Sequence, residues 1–182
     1  MLRVLLYWTA LLTELGFFFA FSVYVIFLIY SHTKGSPYVP SKQKELAYIL
    51  SEAGLKKGMV FYDLGSGDGR AVMTAVSKYE VRGIGVDINP LLIWEARLKA
   101  RFKNLKQISF IKKNIDDVNL TRANVVYVFL MPDLLKKLKI KFESELKKKV
   151  TVISHGFKIE GWDNKLVKTI PRSPFPTYFY VM

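Results

Sequence analysis

The sequence contains no cysteine and only two histidines, His32 and His155, among its 182 residues. The absence of cysteine excludes disulfide-stabilised folds, cysteine–zinc sites, iron–sulfur clusters and thiol catalysis. Two histidines are too few for a histidine-built metal site, so we expect no resident metal. Acidic residues are also scarce, at 15 against 28 Lys and Arg. The net charge of +13 favours anionic neighbours, such as phospholipid surfaces, nucleic acid or acidic protein faces.

Apolar residues are plentiful, at 51% of the chain, which is enough for one domain with a packed core. They are densest near the N-terminus, where residues 4–30 contain a single charged side chain, Glu14. As a helix these residues would be about 40 Å long, against roughly 30 Å for the hydrocarbon of a bilayer. The sequence therefore predicts a transmembrane helix within residues 1–30, with Glu14 near the interface or against another helix.

A secretory signal peptide and a buried core helix are the alternatives for this segment. The apolar run is longer than the hydrophobic region of a signal peptide, and no small-residue cleavage site follows it. A domain of this size has little room to bury a helix that is apolar on every side. A membrane anchor explains the pattern better than either.

Basic residues flank the apolar segment unequally. Arg3 is the only one before it, whereas Lys34, Lys42 and Lys44 follow soon after. The positive-inside rule thus predicts a single-pass membrane protein whose C-terminal domain lies on the cytoplasmic side.

Beyond the anchor, residues 31–40 are polar and then proline-punctuated, as in a linker, and residues 41–182 have the pattern of one domain. Short apolar runs alternate there with segments of helical periodicity, and two short strands close the chain. This alternation predicts an α/β fold with a parallel sheet covered on both faces. The expected strands are 59–64, 81–86, 108–111, 124–130, 150–154, 166–169 and 177–181, and the expected helices are 41–54, 70–79, a long helix from 90, and 133–146.

Closely spaced glycines follow the first predicted strand. Asp63 and Leu64 end this strand, and Gly65, Gly67 and Gly69 define a glycine loop, residues 65–69. Glycines let a loop turn tightly and let a ligand approach the backbone. A dinucleotide-binding loop would have its third glycine one residue later, and no phosphate-binding lysine follows, so a pyrophosphate ligand is disfavoured.

A second acid, Asp87, ends the second predicted strand. A carboxylate in this place can accept hydrogen bonds from both hydroxyls of a ribose. The acid at the start of the glycine loop, Asp63, suits a ligand with an ammonium group. Together the two acids and the loop predict a nucleoside that carries an amino acid and no phosphate.

This pattern resembles the class I S-adenosylmethionine-dependent methyltransferases, which have an acid followed by G-x-G-x-G and a second acid closing strand two. The resemblance spans residues 37–182 and implies a Rossmann-like, seven-stranded methyltransferase sheet with S-adenosylmethionine as the cofactor. Such enzymes usually have an acid after strand three that meets the adenine amino group. By position this sequence offers Asn114, with Asp116 and Asp117 just beyond. The cofactor-binding residues that the resemblance implies are Tyr38, Asp63, Gly65, Ser66, Gly67, Gly69, Asp87, Ile88, Asn114, Ile115 and Phe129.

A narrower resemblance rests on PYVPS at residues 37–41, DLGSGDGR at residues 63–70 and the hydrophobic N-terminal segment. These features are similar to the membrane-anchored protein lysine methyltransferases, whose animal members modify the ATP synthase c-subunit and the adenine nucleotide translocase. The resemblance implies a protein substrate, with a membrane protein as a candidate. It also implies that Tyr38 and Pro40 fold over the cofactor and the substrate lysine. The substrate channel would be lined by Tyr38, Phe129, Met131 and Pro132.

Methyl transfer from a sulfonium needs alignment and a dry site more than it needs a base, because the leaving group is neutral and already activated. An apolar channel would lower the pKa of a substrate lysine by desolvating its ammonium. We therefore expect no histidine or cysteine base. His155 is expected to be structural or at the edge of the channel, and Trp94 is expected in the core.

Three other functions remain open. Methylation of a lipid or quinone is permitted equally by the anchor. A non-catalytic cofactor-binding module is opposed by the complete glycine motif. Nucleic-acid methylation is favoured by charge alone, and no N-P-P-Y-like motif follows strand four. The lysine-rich segment 136–149 suits either a solvated face or a surface that contacts a membrane or partner. The sequence does not predict the oligomeric state.

Overall fold

The computed structural model describes residues 1–34, 43–171 and 175–182. Tyr38 and Pro40, predicted to cover the cofactor, lie outside the described residues. The helices are α1 (Leu2–Lys34), α2 (Gln43–Ser51), α3 (Arg70–Tyr79), α4 (Pro90–Phe102) and α5 (Pro132–Glu145). The strands are β1 (Val60–Leu64), β2 (Arg82–Asp87), β3 (Ile108–Lys112), β4 (Val125–Val128), β5 (Thr151–His155), β6 (Leu166–Ile170) and β7 (Thr177–Val181), with 3₁₀ turns at Ile115–Asp117 and Asp163–Lys165.

The N-terminal helix α1 is long and apolar enough to cross a membrane over Leu2–Ile26, and no part of its most apolar window is buried. This exposure is inconsistent with a core helix. The helix continues to Lys34, four residues beyond the predicted end of the anchor. The sequence Ser31–Lys34 contains no proline or glycine that would stop a helix, and glycine follows at position 35.

The strands form one seven-stranded sheet in the order β3-β2-β1-β4-β5-β7-β6, which confirms the predicted sheet. Strands β1 to β5 all run parallel to one another, and β7 is antiparallel to both β5 and β6. The fully buried β4 lies at the centre of this order. The order reverses between β1 and β4, so their carboxyl ends flank the position where sheets of this type bind ligands.

Two hydrophobic clusters cover the two faces of the sheet. One joins α2, α3 and α4 to the sheet and includes Phe61 and Phe110. The other joins α5 to the opposite face through Leu135, Leu138 and Phe142. Alternate residues of β1 supply both clusters, because successive side chains of a strand point to opposite faces. Asp63 follows Phe61 by two residues and therefore lies on the face covered by α2, α3 and α4.

Local signals in the sequence set where the helices begin. In α4 the side chain of Asn89 accepts hydrogen bonds from the N–H groups of Leu91 (2.9 Å) and Leu92 (3.4 Å), and Pro90 occupies the first turn. Pro132 likewise occupies the first turn of α5, where Met131 provides no capping side-chain hydrogen bond. Both helices thus start at the edge of the sheet where the parallel strands end, which we call the carboxyl edge.

The predicted boundaries differ from the structure most clearly at β4. The apolar run 124–130 predicted one strand, but only Val125–Val128 pairs with β1 and β5. Phe129 and Leu130 leave the sheet and enter the loop before α5. This loop and the glycine loop both lie at the carboxyl edge.

Candidate active site

The glycine loop joins β1 to α3 in a conformation that favours glycine at three positions. Gly65, Gly67 and Gly69 have φ angles of 83°, 52° and 78°. The N–H groups of Gly65 and Ser66 both donate to the carbonyl of Val86, at 2.8 and 2.9 Å, so the loop folds over the end of β2. The structure thereby brings the glycine motif to the second predicted acid, which follows Val86 directly.

Two side chains occupy the space that a Cβ atom would take at two glycines of the loop. A Cβ atom on Gly65 would lie 2.8 Å from Leu130 Cδ2, and a Cβ atom on Gly69 would lie 2.4 Å from Phe110 Cζ. Phe110 also approaches Gly85, where a Cβ atom would lie 2.5 Å from its ring. These distances show why the loop is poor in side chains, and they identify Phe110 and Leu130 as supports that the motif alone did not reveal.

Replacing Gly69 with alanine is expected to destabilise the protein by roughly 2–4 kcal/mol, because it adds both a clash with Phe110 and a left-handed alanine. Gly58 provides the matched control. It also has a positive φ, 82°, but nothing lies within 4 Å of its missing Cβ. Gly58→Ala should therefore cost only the backbone strain, about 1 kcal/mol. Chemical denaturation of both variants measures the difference, and equal losses would show that Phe110 yields without cost.

Asp87 holds the glycine loop from the end of β2. Its Oδ2 accepts from the N–H of Gly67 and its Oδ1 accepts from the N–H of Asn89, both at 2.8 Å. Burial raises the pKa of Asp87, although hydrogen bonds from the backbone of Asn89, Gly67 and Ile88 oppose this shift. Each carboxylate oxygen keeps further acceptor capacity. The side chain can therefore accept two hydroxyl donors while it keeps the loop in place.

Asp63 is a buried carboxylate without a counter-ion in the described part of the chain, and 3% of it is exposed. Burial raises the pKa of Asp63 well above its usual value, and the charges of Asp87 and Asp68 raise it further. A cation bound beside Asp63 would relieve this repulsion. The residues at the site thus fit a ligand with an ammonium group, because the acid is in place and no cation of the described ranges pairs with it.

The nearby Asp68 has the opposite electrostatic environment. It accepts from Arg70 Nε (2.9 Å) and from Lys99 Nζ (2.8 Å), which ties the loop to both α3 and α4. Burial opposes ionisation, but the hydrogen bonds from these two cations lower the pKa of Asp68 to about 2. Arg70, which is too large for close helix–strand packing, instead pairs with the loop. The Lys99 contact joins residues 31 apart in sequence, and sequence analysis did not predict it.

The residues expected near the adenine lie at the ends of β2 and β3. The N–H of Lys113 donates to the carbonyl of Asp87 at 3.0 Å, so the segments that follow the two strands are neighbours. Asn114 is exposed, and its Oδ1 accepts from the N–H of Asp116 at 3.2 Å, which caps the 3₁₀ turn. Ile88 and Ile115 are both half-buried. Asn114 Oδ1 thus already accepts one hydrogen bond, and the adenine contact of Asn114, Asp116 or Asp117 stays a prediction.

Ser66 is buried, and its Oγ has no hydrogen-bond partner among the described residues. The Oγ atom lies 2.8 Å from the position of a Cβ on Gly85. The Ser66 side chain is thus directed toward β2. The role predicted for Ser66 in binding the cofactor stays a prediction.

The residues predicted for the substrate channel separate into two groups. Met131 and Pro132 are exposed at the start of α5. Phe129 instead packs into an aromatic cluster, with ring centroids 4.5 Å from His155 and 5.1 Å from Phe175. Leu130, which lies between these groups, is the residue of this segment that contacts the glycine loop.

His155 ends β5 as a member of this aromatic cluster and is 1% exposed. Its Nδ1 is hydrogen-bonded to Thr177 Oγ1 at 2.8 Å, and its Nε2 has no partner among the described residues. Burial lowers the pKa of His155 to about 4. The ring is therefore neutral at physiological pH and supports Phe129.

This shift predicts a loss of stability in weak acid. The unfolded pKa of His155 is about 6.5, so the unfolded state takes up a proton first as the pH falls. The contribution of the neutral ring is complete above pH 6.5 and is lost as the pH falls through about 4. Urea denaturation between pH 7.5 and 4.5 should show wild type losing about 2–3 kcal/mol more than His155→Phe. Parallel curves for the two proteins would contradict this account.

Comparison with known proteins identifies relatives of the whole domain. Residues 63–166 match the family model of the ANTKMT methyltransferase domain. A protein-lysine N-methyltransferase from Saccharolobus islandicus (strain REY15A) is 37% identical over 139 residues, which cover 75% of this chain and 86% of that protein. The adenine nucleotide translocase lysine N-methyltransferase of Mus musculus is 33% identical over 69% of this chain, and the match spans 55% of that longer protein.

A solved structure that resembles this fold contains the product form of the cofactor. The crystal structure of an RNA methyltransferase from Salinibacter ruber in complex with S-adenosyl-L-homocysteine superposes with a TM-score of 0.75 and is 28% identical. The superposition covers 79% of this chain and 93% of that one. These matches confirm the predicted resemblance, enzyme class and cofactor. The chain belongs to the ANTKMT methyltransferase domain family and is an S-adenosylmethionine-dependent methyltransferase.

Proposed function

We propose that this methyltransferase transfers methyl groups to lysine side chains of a protein, with a protein in or beside a membrane as its substrate. The observation that carries the proposal is the 37% identity to a protein-lysine N-methyltransferase, since the match extends over 86% of that enzyme. The mouse relative is named for a lysine in the adenine nucleotide translocase, which supports the same acceptor chemistry.

The cofactor supplies a methyl group on a sulfonium, and its loss leaves a neutral thioether. In the proposed site Asp87 would accept hydrogen bonds from the ribose hydroxyls of the cofactor, and ionised Asp63 would accept them from the ammonium of its amino-acid end. The backbone of the glycine loop leaves room for the chain between these two groups. Ile88, Ile115 and Asn114 would hold the adenine. These residues would hold the cofactor at the carboxyl edge without a basic side chain.

The acceptor lysine must reach this edge as a neutral amine. Its nitrogen lone pair forms the new N–C bond as the C–S bond breaks toward sulfur, and the methylated ammonium then loses a proton to solvent. Phe129 and Met131 would supply an apolar mouth that disfavours the charged form of the lysine. Because His155 is buried and holds Phe129, its role in this mechanism is to position an aromatic wall.

RNA is the second candidate acceptor, because the Salinibacter ruber structure is described as an RNA methyltransferase and this chain carries a charge of +13. Protein lysine is favoured because the relative of higher identity acts on lysine. The segment after β4, Phe129–Pro132, also lacks the N-P-P-Y-like pattern that suits a base amino group.

The helix α1 supports a membrane location for the proposed enzyme. Its window Leu2–Ile26 has the length and composition of a spanning helix. We infer that α1 is a single-pass anchor that leaves the catalytic domain on the cytoplasmic side.

Alkaline carbonate extraction should leave the full chain in the membrane pellet, and protease should reach the domain only from the cytoplasmic face. Release into the supernatant would contradict the anchor.

The acceptor is tested by incubating the purified full chain with methyl-labelled cofactor and membranes from source cells in which the gene has been deleted. Label should appear in delipidated protein and, after acid hydrolysis, as methyllysine. Label confined to extracted lipid or to RNA would contradict the proposal and identify that material as the methyl acceptor. A chain with Asp87→Ala provides the control for background labelling.

A further inference from the structure

Helix α4 presents an exposed apolar stripe at intervals of four residues. Trp94 is 65% exposed, Leu98 is 38% exposed and Phe102 is 79% exposed. Trp94 was expected in the core, and the structure corrects that expectation: α4 buries the face with Leu92, Ile93 and Ala96 instead. No described element packs on the stripe. Large apolar side chains grouped in this way on a surface indicate a contact with something outside the domain.

Beside the stripe lies a cleft of about 480 Å³ between α4 and β3, the strand at one edge of the sheet. Its walls include Trp94, Leu98, Leu105 and Ile108. Edge strands can pair with a strand of another protein, but here Arg97 donates from Nε (3.0 Å) and from an Nη atom (2.7 Å) to the carbonyl of Phe110. Because Arg97 already uses this carbonyl, pairing of β3 with a strand from another protein is disfavoured.

The border of the stripe is strongly basic. Residues 94–113 contain seven Lys and Arg and a single acid, Glu95, whose carboxylate pairs with Lys99 at 2.6 Å. Four of these cations are exposed, Arg101, Lys103, Lys112 and Lys113. The surface therefore combines an exposed tryptophan and phenylalanine with exposed cations on the same helix and on the neighbouring edge strand.

We propose that this surface, the α4 stripe with its basic border, binds the face of an anionic phospholipid bilayer. Trp and Phe side chains enter the interfacial layer of lipids, while Lys and Arg reach the headgroup phosphates with their apolar stems along the surface. A second copy of the chain is a poorer occupant, because two such faces would bring like charges together. RNA would contact the cations but would leave Leu98 without a suitable partner.

The inference is independent of the methyl acceptor and concerns how the domain lies against the membrane. It also goes beyond the anchor, since α1 would attach the domain without fixing which face meets the lipid. A bound face on α4 would reduce the rotation of the domain and present the carboxyl edge to the bilayer in a defined orientation.

Tryptophan fluorescence can test this contact in the full chain. Of the three tryptophans, Trp8 lies in α1, Trp162 is 1% exposed with its Nε1 donating to Glu143, and Trp94 is exposed. A Trp8→Phe chain in vesicles therefore reports an external lipid contact through Trp94. Lipids brominated near the headgroup should quench its emission at least about twofold more in vesicles rich in phosphatidylserine than in phosphatidylcholine alone.

The extra quenching should disappear when Trp94→Phe is combined with Trp8→Phe. It should fall sharply when Arg101→Glu and Lys103→Glu are combined with Trp8→Phe. The matched control reverses the same number of charges on α5, with Lys136→Glu and Lys137→Glu, and should leave the quenching unchanged. Equal quenching in both lipids would overturn the proposal. Quenching of Trp94 by acrylamide tests the other occupants. Stronger protection by RNA than by vesicles would indicate an RNA surface, and protection that rises only with protein concentration would indicate a second copy; either result would overturn the proposal.

Discussion

Replacing Asp87 with alanine is expected to lower the affinity for S-adenosylmethionine by about 100-fold or more, since two charge-assisted hydrogen bonds are lost. The structure adds a second consequence. The carboxylate also accepts the N–H groups of Gly67 and Asn89, so its removal leaves two buried donors unpaired. The free energy of unfolding should therefore fall by roughly 1–3 kcal/mol, without loss of the fold.

Isothermal titration of the full chain in detergent micelles with S-adenosylhomocysteine measures this affinity, and thermal unfolding measures the stability. Glu160→Ala removes an exposed acid and serves as the control for the change in net charge. Unchanged affinity in Asp87→Ala would count heavily against the assignment of this residue to the ribose. A large loss of stability with unchanged affinity would mean that Asp87 only holds the glycine loop.

The features that were predictable from sequence are those encoded locally. Asp63 and Asp87 each follow a short apolar run, so the strand ends could be located from neighbouring residues alone. Parallel strands of this kind place their carboxyl ends together, and this general rule brought the two acids to one edge. The glycine loop was predictable for the same reason, because its spacing reports a backbone conformation rather than a distant contact.

The features that sequence did not predict depend on contacts between distant segments. Phe110 lies on β3, yet its ring explains why Gly69 and Gly85 cannot bear side chains. Lys99 pairs with Asp68 across 31 residues. Trp94 lies on a helix with apolar residues on more than one side, so periodicity alone could not indicate which side packs on the sheet. Each of these cases required the tertiary arrangement.

Replacing Asp63 with asparagine is expected to stabilise the cofactor-free protein while weakening cofactor binding. The buried carboxylate has a raised pKa and no counter-ion in the described part of the chain, so its charge opposes folding at neutral pH. Asparagine has nearly the same shape without the charge. We expect a gain of roughly 1–3 kcal/mol in the free energy of unfolding. The affinity for the cofactor should fall by about tenfold or more, because the ammonium loses its anionic partner.

The dependence of this gain on pH follows from the direction of the shift. A folded pKa above the unfolded value means that the contribution of Asp63 to stability is complete below pH 3.8 and is lost as the pH rises through the folded pKa. The advantage of Asp63→Asn should thus be largest at neutral pH and vanish in acid.

Asp68→Asn is the matched comparison, because Asp68 is a buried acid in the adjoining glycine loop, and Arg70 and Lys99 lower its pKa. That variant should lose stability at neutral pH, where Asp63→Asn gains it. Thermal unfolding of both variants at pH 7 distinguishes the two environments. Destabilisation by both substitutions would show that Asp63 already has a compensating partner in the folded chain, and the proposed ammonium site would then lose its electrostatic basis.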